Sequence, residues 1–227
     1  MPEMPDTTIL YYTANLIPEI FADNIRERLR AFNLPVVSVS QEPLFFGENI
    51  CVGKIGVSIY NVYRQLYIGA QAVKTKWIAC CEDDCLYHAS HINFAPPTDD
   101  SFYYNVNRWN LTNDGIYYWR KRINMGMCIC SSSLLLETLK ARLEKYPDPS
   151  VPRTKYFSEP GKYEQYLGLD RPKCEFFNVD YACISCNHRP SLGGVRKIQP
   201  TDYITLDLPG WGPAEELWNK VWGEEFV

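Results

Sequence analysis

Residues 77–84 read Trp-Ile-Ala-Cys-Cys-Glu-Asp-Asp. Five apolar or small side chains in a row predict a short strand buried on both faces. Glu82, Asp83 and Asp84 follow at its exit, where three carboxylates repel one another unless a cation neutralises them. Oxygen donors of this kind suit Mg2+ or Mn2+, which usually also hold phosphate oxygens. Upstream, residues 7–12 (TTILYY) are β-branched and aromatic and predict another buried strand. Thr13-Ala14-Asn15 is a small polar turn after it. Pro18 opens a predicted helix reaching about Phe32, apolar at Ile20, Phe21, Ile25, Leu29 and Phe32. Residues 35–40 (PVVSVS) predict a second strand, 47–56 a glycine-bearing loop, and 57–74 a second helix. That helix carries Ile59, Val62, Tyr63, Leu66, Ala70 and Val73 on one side. The β–α–β–α–β order predicts a parallel sheet with right-handed crossovers. Ligands of such sheets bind beyond the carboxyl ends of the strands. Both the 13–15 turn and the acidic triplet fall there.

After residue 90 the texture changes. Residues 102–106, 115–119 and 127–130 predict strands, and a helix follows from Ser131–Ser133 to Tyr146. Residues 147–175 read as loop-rich, 176–185 as strand-like, and 214–221 as a short helix after a Pro-Gly-Trp-Gly-Pro turn. No linker is visible. The expectation is one α/β domain over 1–227, with 1–90 as a ligand-binding half and 91–227 as an elaborated second half.

Composition sets the bounds. The chain has 227 residues, 46% hydrophobic and 22% charged, which is globular and argues against disorder. A chain of this size buries on the order of 70% of its unfolded surface, so it needs no disulfide or structural metal. The net charge of −4 excludes a uniformly basic nucleic-acid coat. The first six residues are acidic and Pro-rich, unlike a secretory signal. The run 123–136 is too short and too polar to span a bilayer. Nine cysteines, an odd number, read as reduced thiols of a cytoplasmic protein.

The order strand, polar turn, helix, strand, helix, hydrophobic strand, Glu-Asp-Asp resembles the nucleotide-diphospho-sugar transferase (GT-A) fold. Glu82-x-Asp84 is similar to that family's Asp-x-Asp motif, with Glu in place of the first Asp. More closely, the chain resembles small bacteriophage-type glycosyltransferases. The matching segments are ILYYTAN (9–15), VVSVSQEPL (36–44), NICVGKIGVSIYNVYRQLYIGAQAVKTKW (49–77), CEDDCLY (81–87), SEPGKYE (158–164) and SCNHRPSLGGVRK (185–197).

The resemblance implies a GT-A-like Rossmann-type domain with a mostly parallel central sheet flanked by helices. It implies transfer from a nucleotide sugar, UDP-type first, with Mn2+ or Mg2+. By it, Thr13 and Asn15 contact the nucleoside with Ser40 and Gln41 beside them. Arg64, facing inward from the second helix, approaches the nucleotide. Glu82 and Asp83 hold the ribose and donor sugar. Asp84 binds the metal and His188 completes its site. Arg196 and Lys197, after Gly193-Gly194, close over the diphosphate. Soluble transferases of this kind decorate saccharides or DNA, so a hydroxymethylated pyrimidine is one acceptor to consider.

An acceptor hydroxyl needs a carboxylate to take its proton. Glu159, just before a predicted helix start, is the first choice, with Asp180 and Glu164 as rivals; Asp83 counts as catalytic through its hold on the donor. Residues 102–122 interleave seven aromatics with basic side chains, a texture that stacks bases or sugars. Trp109 and Arg120 there, and Tyr163 in the SEPGKYE segment, are the expected acceptor wall. Two other readings stand beside this one. A nucleotidyltransferase also uses carboxylates and a metal, but usually has a Gly-rich phosphate loop after its first strand. A zinc-stapled binding module would use Cys183-x2-Cys186-x-His188, or the group Cys80, Cys81, Cys85, His88 and His91.

Overall fold

The structure is a computed structural model that describes residues 6–149, 151, 153–188 and 197–222. Strand β1 (Thr7–Thr13) is buried along its whole length. Its side chains alternate between two cores, as the period of two along a strand requires. Ile9 and Tyr11 join Phe21, Ile25 and Trp218, while Leu10 and Tyr12 join Tyr60, Leu66 and Leu135. Helix α1 (Glu19–Arg30) covers the first face and leads to β2 (Val36–Ser40), which pairs parallel with β1. Next come β3 (Glu48–Cys51) and α2 (Ile59–Ala72), the latter capped by Ser58 accepting from the Asn61 N–H. Strand β4 (Trp77–Glu82) then pairs parallel with β1 on its other side, with Tyr12 opposite Glu82. Helix α2 lies close on β1 and β2: a Cβ at Gly69 would stand 2.4 Å from Leu10 Cδ1 and 2.8 Å from Val39 Cγ2.

The second half adds β5 (Cys85–Leu86), α3 (Ala89–Ile92), β6 (Ser101–Asn105), β7 (Arg108–Leu111), β8 (Tyr117–Trp119), β9 (Cys128–Ser131) and α4 (Ser132–Lys145). After these come α5 (Glu164–Leu167), β10 (Lys173–Phe177), β11 (Cys183–Cys186), β12 (Tyr203–Thr205), β13 (Asp207–Leu208), β14 (Gly212–Pro213) and α6 (Ala214–Trp222). The seven-stranded central sheet runs β10-β6-β9-β4-β1-β2-β3. Within it β9 is antiparallel to β4 and β6, and every other pairing is parallel. A five-stranded sheet, β12-β8-β7-β11-β5, stands beside it, and β13 and β14 form a small hairpin.

A buried ion pair fastens the segment between α4 and α5. Arg142 and Glu164, both essentially inaccessible, bond to each other. Arg142 Nη1 also donates to Phe157 O at 2.9 Å and Ser158 O at 2.7 Å. Glu164 Oε2 accepts the Gly161 N–H at 2.9 Å.

The sequence reading needs three corrections. The 47–56 loop contains a strand, β3. The mixed stretch Arg108–Leu111 is a strand that residue texture did not suggest. Residues 176–185 are no single strand: β10 ends at Phe177 in the central sheet and β11 begins at Cys183 in the other. All nine cysteines are free thiols. No helix among the described residues is long and apolar enough to cross a membrane.

Candidate functional site

The chain winds from β1 toward β2 on one side and returns to β4 on the other, so the winding reverses between β1 and β4. A crevice opens at the carboxyl ends of strands at such a point. Tyr12 Oη donates to Glu82 Oε1 at 2.8 Å across that junction, and Thr13 Oγ1 donates to Asp83 Oδ2. Asn15 holds a left-handed backbone, φ 56°, which Asn tolerates better than most residues. Its N–H donates to Thr13 Oγ1 at 2.8 Å, and its Oδ1 accepts the N–H groups of Gln41 and Glu42 at 2.8 and 3.0 Å. Gln65, inward from α2, donates to Thr13 O at 2.8 Å and Val39 O at 3.1 Å. Tyr87 Oη accepts the Glu82 N–H at 2.8 Å. The exits of β1, β2 and β4 are thus tied to one another before any ligand arrives.

A cleft of about 330 Å3 opens over this junction. Its lining includes Thr13, Gln41 and the triplet Glu82-Asp83-Asp84, together with Ser58 and Asn61 at the start of α2, Glu159, Arg108 and Asn110 of β7, and His188.

Burial dominates the electrostatics. Glu82 is pushed up to about 7 by desolvation, with the nearby Asp84 charge adding to it. Asp83 is pushed up to about 7 by the same two causes. Burial works in the same direction on Asp84, but the adjoining His188 ring and Cys85 thiol outweigh it, so its carboxyl sits below the usual range.

The ligand atoms of Glu82, Asp84 and Cys85 lie within 4.8 Å of one another, the one such group of three among the described residues. His188 is 6% exposed, and neither ring nitrogen has a hydrogen-bond partner. Its Nε2 lies 3.4 Å from Asp84 Oδ2, close enough for charge but without hydrogen-bond geometry. Buried polar groups normally find partners. His188 stands at ion-pair distance from the half-buried triplet, and the spacing of Glu82, Asp84 and Cys85 fits a divalent cation.

Of the residues singled out from sequence, Thr13, Gln41, Glu82, Asp83, Asp84, Glu159 and His188 line the cleft. Asn15 and Ser40 shape its rim from behind; the Ser40 hydroxyl donates to Glu42 O at 2.6 Å. Arg64 was expected to face inward and is exposed instead, with Tyr63 and Gln65 buried on either side. Asp180 is exposed and does not line the cleft, and Glu164 is consumed by Arg142.

The expected acceptor wall is likewise elsewhere. Trp109 packs on the core and donates to Asn107 Oδ1 at 3.2 Å. Arg120 pairs with Asp202, and Tyr163 lies against Tyr156 with ring centroids 5.6 Å apart. None of the three lines the cleft. Lys197 is exposed and its carbonyl accepts from Arg120 at 3.2 Å. Arg196, Gly193 and Gly194 lie outside the described residues.

The zinc reading finds no closed set of four, since Cys183, Cys186, His188, Cys80, Cys81, His88 and His91 join no group of three donors among the described residues. His91 is a core residue, stacked on Phe177 and pushed down to about 3 by burial.

Residues that sequence reasoning passed over include Arg108, Asn110 and Gly126. Arg108 and Asn110 are two apart on β7, and strand alternation would have put them on one face. Gly126 carried no signal: a Cβ there would stand 2.6 Å from Glu82 Oε2, so only glycine lets this turn rest on that carboxylate.

No family model matches the chain, and no curated protein matches it. Among solved structures it is similar to the crystal structure of a glycosyltransferase involved in the glycosylation of the major capsid of PBCV-1. The identity is 14%, the match covers 80% of this chain and 93% of that one, and the TM-score is 0.47.

Proposed function

We propose that this chain is a metal-dependent glycosyltransferase of the GT-A kind, moving a sugar from a nucleotide-diphosphate sugar, UDP-type first, to a hydroxyl acceptor. The observation that carries the reading is the junction of β1 and β4: three half-buried carboxylates open into a cleft, faced by a buried histidine with no hydrogen-bond partner.

In this reading Asp84 and His188, with Glu82, hold Mn2+ or Mg2+. Such a cation, when bound, stabilises the charge that develops on a leaving diphosphate. Thr13 and Gln41, fixed through Asn15, give the nucleoside a preformed polar corner. Asp83, half-buried and bonded to Thr13, faces the donor sugar. Glu159 accepts the proton of the acceptor hydroxyl. It lines the same cleft with its side chain 18% exposed, so it is shielded without being sealed off. Glu159 is the base favoured over Asp180 because only Glu159 borders the cleft.

The test is a calorimetric and thermal-shift screen of UDP, GDP, CDP and their sugars with and without Mn2+. A ligand that binds only the folded state at a hundred times its Kd stabilises by about 2.7 kcal/mol. The expected result is a shift with a uridine nucleotide that needs Mn2+ and disappears in Asp84→Ala. Absence of a shift with every nucleotide would reject the reading. Once a donor is found, transfer to hydroxymethylated DNA and to saccharides distinguishes the acceptors.

A further inference from the structure

Cys85 stands one residue past the triplet, at the start of β5. Its Sγ lies 3.1 Å from Asp84 Oδ1 and 3.8 Å from Glu82 Oε2. Ligand bonds of about 2.0–2.3 Å, as in zinc sites, put neighbouring donors on one ion roughly 3–4 Å apart. The spacing of these three atoms is therefore one that a single cation can bridge. A second, independent observation points to the same spot. From beyond the end of β11, His188 comes within 3.4 Å of Asp84, 6% exposed and with neither ring nitrogen hydrogen-bonded.

Two carboxylates and a thiol, with the imidazole 3.4 Å from one of the carboxylates, are softer donors than oxygen alone. Mg2+ demands oxygen and keeps its waters. Zn2+ and Co2+ accept nitrogen and sulfur readily, and Mn2+ does so less strongly.

We propose that Cys85 Sγ is a ligand of the cation held at this junction, and that the site therefore selects a borderline transition-metal ion over Mg2+. The inference rests on the reading above that the triplet binds a divalent cation. Coordination breaks the S–H bond and forms a sulfur–metal bond, the proton passing to the buffer, with no change of oxidation state. The competing role for Cys85 is that of a hydrogen-bond donor to Asp84, which a serine would fill equally well.

The experiment is a cobalt titration of the full chain, with Cys51→Ser as background because Cys51 is the exposed thiol. The expected spectrum has visible bands from bound Co2+ and a near-ultraviolet sulfur-to-cobalt charge-transfer band. Adding Cys85→Ser should remove the near-ultraviolet band and keep the visible ones. Zn2+ affinity, measured by competition, should fall about tenfold or more, and Mg2+ affinity should not change. Cys85→Ala, checked by thermal melting, should reproduce that loss. Cobalt that binds in an Asp84-dependent way without the sulfur band would overturn the assignment of Cys85 alone. So would a Cys85→Ser protein that holds Zn2+ as the parent does. A parent protein that binds neither Co2+, Zn2+ nor Mn2+ would overturn the cation reading itself, and this assignment with it.

Discussion

Arg142→Met should unfasten the segment that carries Glu159. The Arg142 and Glu164 side chains are 0% and 1% exposed, so the substitution leaves a carboxylate deep in the protein without its counter-charge. The main-chain N–H of Gly161 at 2.9 Å would still reach Glu164, but the Phe157 and Ser158 carbonyls would lose their donor. Breaking a buried pair by removing one partner costs about 3–5 kcal/mol. In a chain of this size each kcal/mol lowers Tm by about 2–4 °C, so the expected fall is roughly 6–20 °C. Urea denaturation followed by circular dichroism should show a lower midpoint and an unchanged slope. The double variant Arg142→Met/Glu164→Leu removes the stranded charge and should recover most of the loss. A single variant costing less than about 1 kcal/mol would refute the reasoning, because exposed pairs contribute that little. So would a double variant no more stable than the single one.

Gly126→Ala puts a methyl group 2.6 Å from Glu82 Oε2 and should weaken Mn2+ binding about tenfold by displacing that carboxylate; an unchanged titration would reject the contact. Glu82 and Asp83, both pushed up to about 7, hold protons that a cation must displace, so stabilisation by Mn2+ should grow between pH 6 and 8. In the metal-free protein their contribution is fully present below about pH 4 and is lost as pH rises through about 7, and Glu82→Gln should flatten that decline in thermal melts. His91 acts with the opposite sign. Its folded-state value is down to about 3 against 6.5 unfolded, so its contribution is present above pH 6.5 and lost as pH falls toward 3. His91→Phe should make the urea midpoint less sensitive to acid, and an equally steep acid limb would contradict this. Gly69→Ala should cost about 1–3 kcal/mol by overpacking Leu10 and Val39, although alanine is the better helix former; a stabilised variant would show that α2 can shift.

The first half of the chain was readable because its elements are locally consistent. The TTILYY run is strand-like in composition, Pro18 marks a helix start and the apolar stripe of α2 has the helical period, and β1, α1, β2, α2 and β4 fall close to the boundaries expected. The second half resisted for a physical reason. Strands β7 and β11 belong to a sheet whose pairings join residues far apart in sequence, such as Cys183 with Arg108, and periodicity carries no information about partners. Residues 176–185 looked continuous because a strand's texture does not announce that the chain changes sheets. At 3.6 residues per turn, positions 64 and 65 both fall about 130° from the stripe that holds Ile59, Tyr63 and Leu66, on its two flanks, so the stripe alone does not say which of them faces the sheet. The residue that turns inward there is Gln65, and it uses its amide on Thr13 O and Val39 O.

His188 illustrates how a distant residue enters the junction through register. Strand β11 pairs antiparallel with β5, Ile184 opposite Leu86 and Ser185 opposite Cys85. The same register continues one step, because the Cys186 N–H donates to Asp84 O at 2.8 Å. Each step along β11 thus walks back along the triplet, and two residues beyond Cys186 the chain has brought His188 alongside the carboxylates. The parallel pairing of β11 with β7 fixes the other edge and sets Arg108 and Asn110 on the same cleft. A slip of one residue in β11 would turn every side chain to the opposite face and carry the imidazole away from Asp84. The two-residue strand β5, too short to matter for stability by itself, is what measures the distance from the triplet to its histidine.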